Sequence, residues 1–208
     1  MDVRARMVAD QIRARGVTDA RVLSALTRVP RERFVPADLR HEAHADRPLP
    51  IGHGQTISQP YIVGYMTEAL RLEPGHRVLE IGTGCGYQTA VLAELAEEVY
   101  SIELIEALAD RARRTLAGLH YGNVQIRAGD GYAGWPERAP FDRILGAAAA
   151  PDVPQALLDQ LVDQGILVMP IGTDLQELKV LKKAGSACEL LSTLAVRFVP
   201  MVHSEGRR

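Results

Sequence analysis

Cysteine, aromatic residues and charge of a single sign are all scarce in this chain. Its two cysteines, Cys85 and Cys188, lie far apart and show no metal spacing, which excludes a disulfide framework and a cysteine-based zinc site. Six histidines are scattered, and although His41 and His44 can share a helix face, no further ligand joins them. A metal site is not expected, because zinc needs three or four protein ligands. Net charge is −2, so no broad basic field points to nucleic acid. No apolar run approaches the roughly 18 residues of a membrane span. Arg4, Arg6, Arg13 and Arg15 crowd the N-terminus without an apolar signal core, and Asp2 and Asp10 interrupt them, whereas transit peptides are poor in acids. An exposed helix face is the expectation there. With the two cysteines, this points to the reducing cytoplasm. What the chain does have is material for a core, 47% hydrophobic residues over 208, enough for one domain with a small extension.

The most informative stretch is Val78-Leu79-Glu80-Ile81-Gly82-Thr83-Gly84-Cys85-Gly86-Tyr87. An apolar run ends in a carboxylate, a glycine turn follows, and a helical pattern continues to Leu95: strand, tight turn, helix, the opening of a nucleotide-type α/β site. Gly82 and Gly84 let the chain turn sharply and let backbone approach a ligand. A dinucleotide fingerprint needs another glycine where Tyr87 stands, so a nucleoside without pyrophosphate fits better than NAD. No Lys-Ser or Lys-Thr pair follows, which excludes a phosphate-cradling P-loop. A second apolar run, Val99 to Ile102, ends in Glu103, at the spacing where a second-strand carboxylate meets a ribose. A third, Val124 to Ile126, leads to Gly129-Asp130-Gly131. Three acids at three strand ends would repel a phosphate but attract a cation. S-adenosyl-L-methionine carries a sulfonium, an ammonium and a ribose diol. Glu80 suits its amino-acid end, Glu103 the ribose hydroxyls, and Asp130 the adenine amine.

Around this centre the periodicity predicts helices over 3–15 and 18–28, with Thr18 as N-cap and Gly16 between them. Residues 30–60 lack periodicity and read as an ordered loop in which Gly52 and Gly54 bracket His53 and Pro60 stops the turn. Helices follow near 61–72, 87–96, 104–118 and 154–163, and strands near 77–81, 99–102, 124–127, 142–146 and 166–170. Closing strands, antiparallel in direction, are expected over 178–181 and 194–199. The alternation predicts an α/β fold, a Rossmann-like doubly wound, mostly parallel sheet with helices on both faces. It carries an N-terminal helical extension over 1–60, while 61–208 holds the cofactor-binding part of one compact unit.

The sequence resembles the protein-L-isoaspartate O-methyltransferases, a class I S-adenosylmethionine-dependent family, over nearly its whole length. Early matches are Arg15-Gly16-Val17, Val29-Pro30-Arg31 and Phe34-Val35-Pro36; the most specific are Pro48-Leu49-Pro50-Ile51-Gly52, Gln55-Thr56-Ile57-Ser58-Gln59-Pro60 and Ala148-Ala149-Ala150-Pro151. The resemblance implies methylation of the α-carboxylate of L-isoaspartyl residues in damaged proteins and peptides, with S-adenosyl-L-homocysteine as product. The ester then recloses to a succinimide, and repeated cycles recover normal Asp. It implies Ser58 as the active-site serine, and cofactor contacts at Gln55, Thr56, Ile57, Ser58, Glu80, Gly82, Gly84, Glu103, Asp130, Gly131 and Gln176. Cys85 stands where the family usually has serine, His44 where it has tyrosine, and Gly146-Ala147 where a bulkier pair precedes the alanine run. A monomer is expected, with no nucleic-acid or membrane partner.

The chemistry itself asks little. A carboxylate, with an ordinary pKa near 4, is already a nucleophile at neutral pH and needs no base, in keeping with the lack of a His-Asp or Ser-His constellation. Ser58 can donate a hydrogen bond that orients the incoming carboxylate without dulling it as a cation would. Trp135 lines the cleft or packs in the core. Two other readings stand beside repair: methylation of ordinary Asp in a dedicated peptide, and a cofactor-binding protein without catalysis.

Overall fold

Val3–Met7 forms the first helix, α1, and its coil runs on through a π-helical turn at Val8–Ile12 and a 3-10 turn at Arg13–Arg15. Gly16 ends it at φ +99°, where a side chain would be strained. The computed structural model describes residues 2–203, so the Arg207-Arg208 end of the tail lies outside the described residues. Helix α2 spans Ala20–Arg28. Its cap is Asp19, not Thr18. Asp19 Oδ1 accepts from the Arg21 and Val22 N–H groups at 2.8 and 3.4 Å, whereas the Thr18 N–H donates to Glu68 Oε1.

The stretch read as an irregular loop contains a hairpin. Leu49–Gly52 (β1) and Gln55–Ile57 (β2) pair antiparallel around a two-residue turn, His53-Gly54, at φ +56° and +71°. Both turn residues take positive φ, as a primed hairpin turn requires. The sequence hid it because His53 occupies a position where Asn or Asp is the usual signal. Pro60 does not stop a turn; it opens helix α3, Pro60–Ala69, at the first position, where its missing N–H has no partner to lose.

From there strands and helices alternate: β3 Arg77–Ile81, α4 Tyr87–Ala93, β4 Glu98–Glu103, α5 Glu106–Gly118, β5 Val124–Ala128, β6 Phe141–Gly146, α6 Gln155–Gln160, β7 Leu161–Ile171, β8 Gln176–Ala184 and β9 Ala187–Val196. They form a seven-stranded sheet in the order β5-β4-β3-β6-β7-β8-β9, parallel through β7 and antiparallel beyond. Two expectations need correcting. Helix α6 gives way to β7 at Leu161 instead of running to 163, and β9 covers 187–196, not 194–199. The strand β9 is an exposed edge whose register slips at Val180/Leu181, so its apolar residues never show the alternation of a half-buried strand.

Both faces of the sheet are covered. Val78, Val99, Leu145 and Val168 pack with Met66 of α3, with Leu70 just after it and with Leu92 of α4. Leu79, Ile81, Tyr100, Ile102 and Leu167 pack on the other face with Leu157 of α6. The N-terminal residues do not stand apart. Ile12, Leu26, Phe34, Leu49 and Ile57 share one cluster with Tyr87 and Val91 of α4 and Leu108 and Leu116 of α5. Among the described residues no helix is long and apolar enough to cross a membrane, and no group of three or more His, Cys, Asp or Glu can hold a metal ion.

Candidate active site

The strand order reverses between β3 and β6, and ligands of open α/β sheets bind outside the carboxyl ends at such a switch point. The glycine loop sits there. The Gly82 and Thr83 N–H groups both donate to Ile102 O, at 2.8 and 3.3 Å, which curls the loop over β4. Gly86 starts α4 at φ +90°, and a Cβ there would meet Ala112 and Leu116 of α5 at 3.3 and 3.2 Å. Close helix contact therefore falls to Gly86, one residue earlier than in a dinucleotide fingerprint. Tyr87 instead packs edge-on against Phe34, tying the N-terminal layer to α4.

A cavity opens above the loop. Gln55, Thr56, Ile57 and Ser58 line it from one side, Gly82, Gly84 and Glu103 from below, and Gly131, Ala147 and the segment Val199-Pro200-Met201-Val202 from the other. The Val199 to Val202 part of that wall is carried in by a bridge of Ala149 to Pro200, a long-range pairing that local periodicity does not announce. Among the described residues that line the cavity, Glu103 alone is charged. Its Oε2 accepts from the Gly84 N–H at 2.7 Å and its Oε1 from the Ile105 N–H at 2.9 Å. A carboxylate has about four lone-pair sites, so both oxygens can still accept from a ligand. A lone anion with no lining cation fits a positively charged nucleoside and opposes a phosphate.

The other sequence-derived contacts are placed differently. Glu80 is wholly buried and does not line the cavity. The period-two geometry of β3 turns it into the layer under α4, beside Ser101, its partner in register on β4. Glu80 Oε2 accepts from Thr89 Oγ1 at 2.5 Å and Ser101 Oγ at 2.6 Å. Ser101, its proton spent on Glu80, leaves Thr83 to donate across the 2.5 Å Thr83–Ser101 contact. Thr83 belongs to the glycine loop, so Glu80 reaches the cavity through two hydroxyls. Asp130 caps the turn Gly131–Ala133 through the Tyr132 N–H and pairs with His203 at 2.9 Å; Gly131 lines the cavity and Asp130 does not. Gln176 lies away from it, its amide joined to the Phe198 backbone in both directions, at 2.6 and 3.2 Å. Trp135 does not line the cavity; it packs edge-on against Tyr100, with Arg127 above it.

Burial raises the Glu80 carboxyl to about 7, against the lowering by the Ser101 and Thr89 hydrogen bonds. Between the ordinary value and 7 the folded protein holds a proton that the unfolded chain has released. Stability from this group therefore falls as pH rises through that window, by on the order of 3 kcal/mol in total. Glu80→Gln, which stays neutral, should lose ground to no such slope. Its melting temperature relative to the native protein is expected to rise between pH 5 and 8. Parallel melting curves across that range would place the Glu80 charge in a solvated setting.

A second, wider cleft adjoins the first. Thr56, Ser58, Ala147 and Val199 line both, so the two open on each other there. Ser58 ends the hairpin just before α3, and its carbonyl accepts from Arg31 at 2.7 Å. Arg31, fully buried, also donates to Ala43 O at 2.7 Å and lies 4.7 Å from the centre of the Tyr87 ring. In the sequence Arg31 stands out only as part of the Val29-Pro30-Arg31 motif. Nothing local says what it holds, because Arg31 sits beside Arg28, Glu32 and Arg33 and looks like one more surface charge.

Comparison with known proteins bears directly on this geometry. The family described as protein-L-isoaspartate(D-aspartate) O-methyltransferase matches residues 3–206. A protein-L-isoaspartate O-methyltransferase of Picosynechococcus sp. is 56% identical over 205 residues, covering 98% of this chain and 92% of its own length. One from Opitutus terrae is 54% identical, with 97% and 88% covered. A solved protein-L-isoaspartate O-methyltransferase is 29% identical with a TM-score of 0.89, covering 97% of this chain, which spans 66% of that structure's length. A Plasmodium falciparum structure described in the same terms, in complex with S-adenosyl-L-homocysteine, shares the fold at a TM-score of 0.82 and 24% identity, with 97% and 99% covered.

Proposed function

Because this chain belongs to the protein-L-isoaspartate(D-aspartate) O-methyltransferase family, we propose which of its residues carry that family's reaction and how. The protein is a repair methyltransferase that uses S-adenosyl-L-methionine to esterify the α-carboxylate of L-isoaspartyl residues in damaged proteins and peptides. When bound, the cofactor supplies a methyl group activated by its sulfonium.

The observation that carries the residue assignment is the shared wall at Ser58. One cavity has the chemistry for a cationic nucleoside, the other is wide enough for chain, and Ser58 lines both. Glu103 holds the ribose hydroxyls while fixing the loop through Gly84 and Ile105. Gly82, Gly84 and Gly131 let backbone close on the ligand. Gln55, Thr56 and Ile57 form the opposite wall. Glu80 acts beneath the loop, through Ser101 and Thr83. Asp130 sets the turn that presents Gly131, and Gln176 steadies the segment that leads to Val199. Both are assigned as supports of the site, with direct cofactor contact left to the residues that line it.

Ser58 donates its hydroxyl proton to one oxygen of the substrate carboxylate and leaves the other free to attack. A neutral donor orients without withdrawing the nucleophile's charge. Positioning of the two reactants as a whole is worth roughly 7–11 kcal/mol of a bimolecular barrier, and this one donor supplies a part of it. Arg31 keeps Ser58 in place by gripping its carbonyl. Residues 1–60 are proposed as the substrate-facing layer of a single unit, supported by the cluster they share with α4 and α5. The free thiols Cys85 and Cys188 support a reducing cytoplasm, and a monomer suffices because one chain supplies both cavities.

The test is label transfer from S-adenosyl-L-methionine to two peptides that differ only in Asp or isoAsp at one position. Base-labile label on the isoaspartyl peptide, and almost none on its twin, is expected. Equal labelling of the two would sink the repair reading, label on the Asp peptide alone would favour an aspartyl methyltransferase, and none on either, with cofactor bound, a protein without catalysis.

A further inference from the structure

The wide cleft has a charge character that methyl transfer does not require. Among the described residues two arginines line it, Arg15 and Arg197, and no carboxylate does. They come from distant parts of the chain, Arg15 from the end of the first helical segment and Arg197 from the residue after β9. Arg15 is set in place: its NH1 donates to Asp46 Oδ2 at 3.2 Å, and its guanidinium lies 3.7 Å from the centre of the Tyr61 ring. Asp46 is itself held by the Gln59 amide at 2.8 Å. A guanidinium has five N–H donors, so Arg15 keeps several for a ligand. Arg197 is exposed and makes no hydrogen bond or ion pair with any described residue. Neither arginine lines the cofactor cavity, so neither stands where a cation would weaken the attacking carboxylate.

A single free arginine on a surface would mean little. Here two share a cleft with Ser58; Asp46 offsets part of the Arg15 charge, so the positive field beside the point of transfer is carried mainly by Arg197. We propose that Arg15 and Arg197 read the charge of the residues flanking the isoaspartate, so that the cleft prefers isoaspartyl peptides carrying a further acidic side chain next to the damaged position. This rests on the reading of the wide cleft as the peptide site. Exposed ion pairs contribute modestly, so the two arginines together should give about a threefold to tenfold preference. The interaction acts on encounter and binding and is screened by salt, with a Debye length of about 10 Å at 0.1 M.

The experiment compares three isoaspartyl peptides identical except for Glu, Gln or Lys beside the isoaspartate. Expected is the order Glu, Gln, Lys in kcat/KM, carried by KM with kcat little changed, and shrinking at about 0.5 M salt. Arg197→Gln should flatten the order and Arg197→Glu reverse it. Arg15→Gln should weaken it, with the melting temperature followed to separate loss of the Asp46 contact from loss of the field. Equal kcat/KM for the three peptides, or a preference for Glu that survives Arg197→Glu, would overturn the proposal while leaving the repair reaction intact. No turnover of any isoaspartyl peptide would overturn the peptide-site reading, and this inference with it.

Discussion

Ser58→Ala is expected to lower kcat/KM for isoaspartyl peptide by about 10²–10³-fold, the range seen when one positioned donor is removed from a reacting oxygen. That precedent comes from acyl transfer, where charge grows on the oxygen; here the carboxylate loses charge as it attacks, which argues for the lower end. Cofactor affinity should fall much less, because Glu103 and the glycine loop remain. Stability should barely move. The contact that anchors this stretch is from Arg31 to the Ser58 carbonyl, which alanine keeps, and the Ser58 hydroxyl makes no hydrogen bond with any described residue. An ordinary turn serine would behave in the opposite way, with a lower melting temperature and normal turnover per folded molecule. Measuring kcat/KM, cofactor Kd and melting temperature on one preparation separates the two.

For Glu103→Ala the loss should appear in cofactor binding. Hydrogen bonds to a charged group are worth about 1.5–3 kcal/mol each, so one lost ribose contact weakens binding about tenfold and two about a hundredfold or more. The structure adds a second loss. The Gly84 and Ile105 N–H groups both donate to this carboxylate and would need water in its place. Glu103→Gln keeps the shape and one acceptor oxygen, so it should fall between alanine and the native protein. Calorimetric titration with S-adenosyl-L-homocysteine reads this directly. An unchanged Kd in the alanine variant would remove Glu103 from the ribose site.

The central unit was legible because its signals are local. An apolar run, a glycine turn and a helical period are contiguous from Val78 to Leu95, and Glu103 follows at a spacing set by one crossover helix. That suffices to place Glu103 in the cavity wall, where the structure has it. Glu80 was harder. Its neighbours suggest a strand-end acid facing a ligand, but the direction of a strand residue depends on which face the sheet buries, and here Glu80 shares its face with Ser101 and lies under Thr89. The hairpin at β1 and β2 escaped because His53 takes a left-handed turn position usually signalled by Asn or Asp. The wall formed by Val199 to Val202 depends on a bridge from Ala149 to Pro200, and Arg31 serves Ala43 and Ser58 from outside the loop. Such long-range pairings leave no period in the sequence. The motif carrying Ser58 was recognised by family resemblance, not by periodicity; its position between two cavities is a property of the fold.

The most direct measurement is where the methyl group lands. Fragmentation mass spectrometry of the fresh product, made from an isoaspartyl peptide that also contains ordinary Asp and Glu, should place one methyl on the isoaspartyl α-carboxylate and none on the other acids. The ester should then disappear with loss of methanol to a succinimide. Methyl groups spread over the ordinary carboxylates, or placed on Asp with the isoaspartate untouched, would contradict the account.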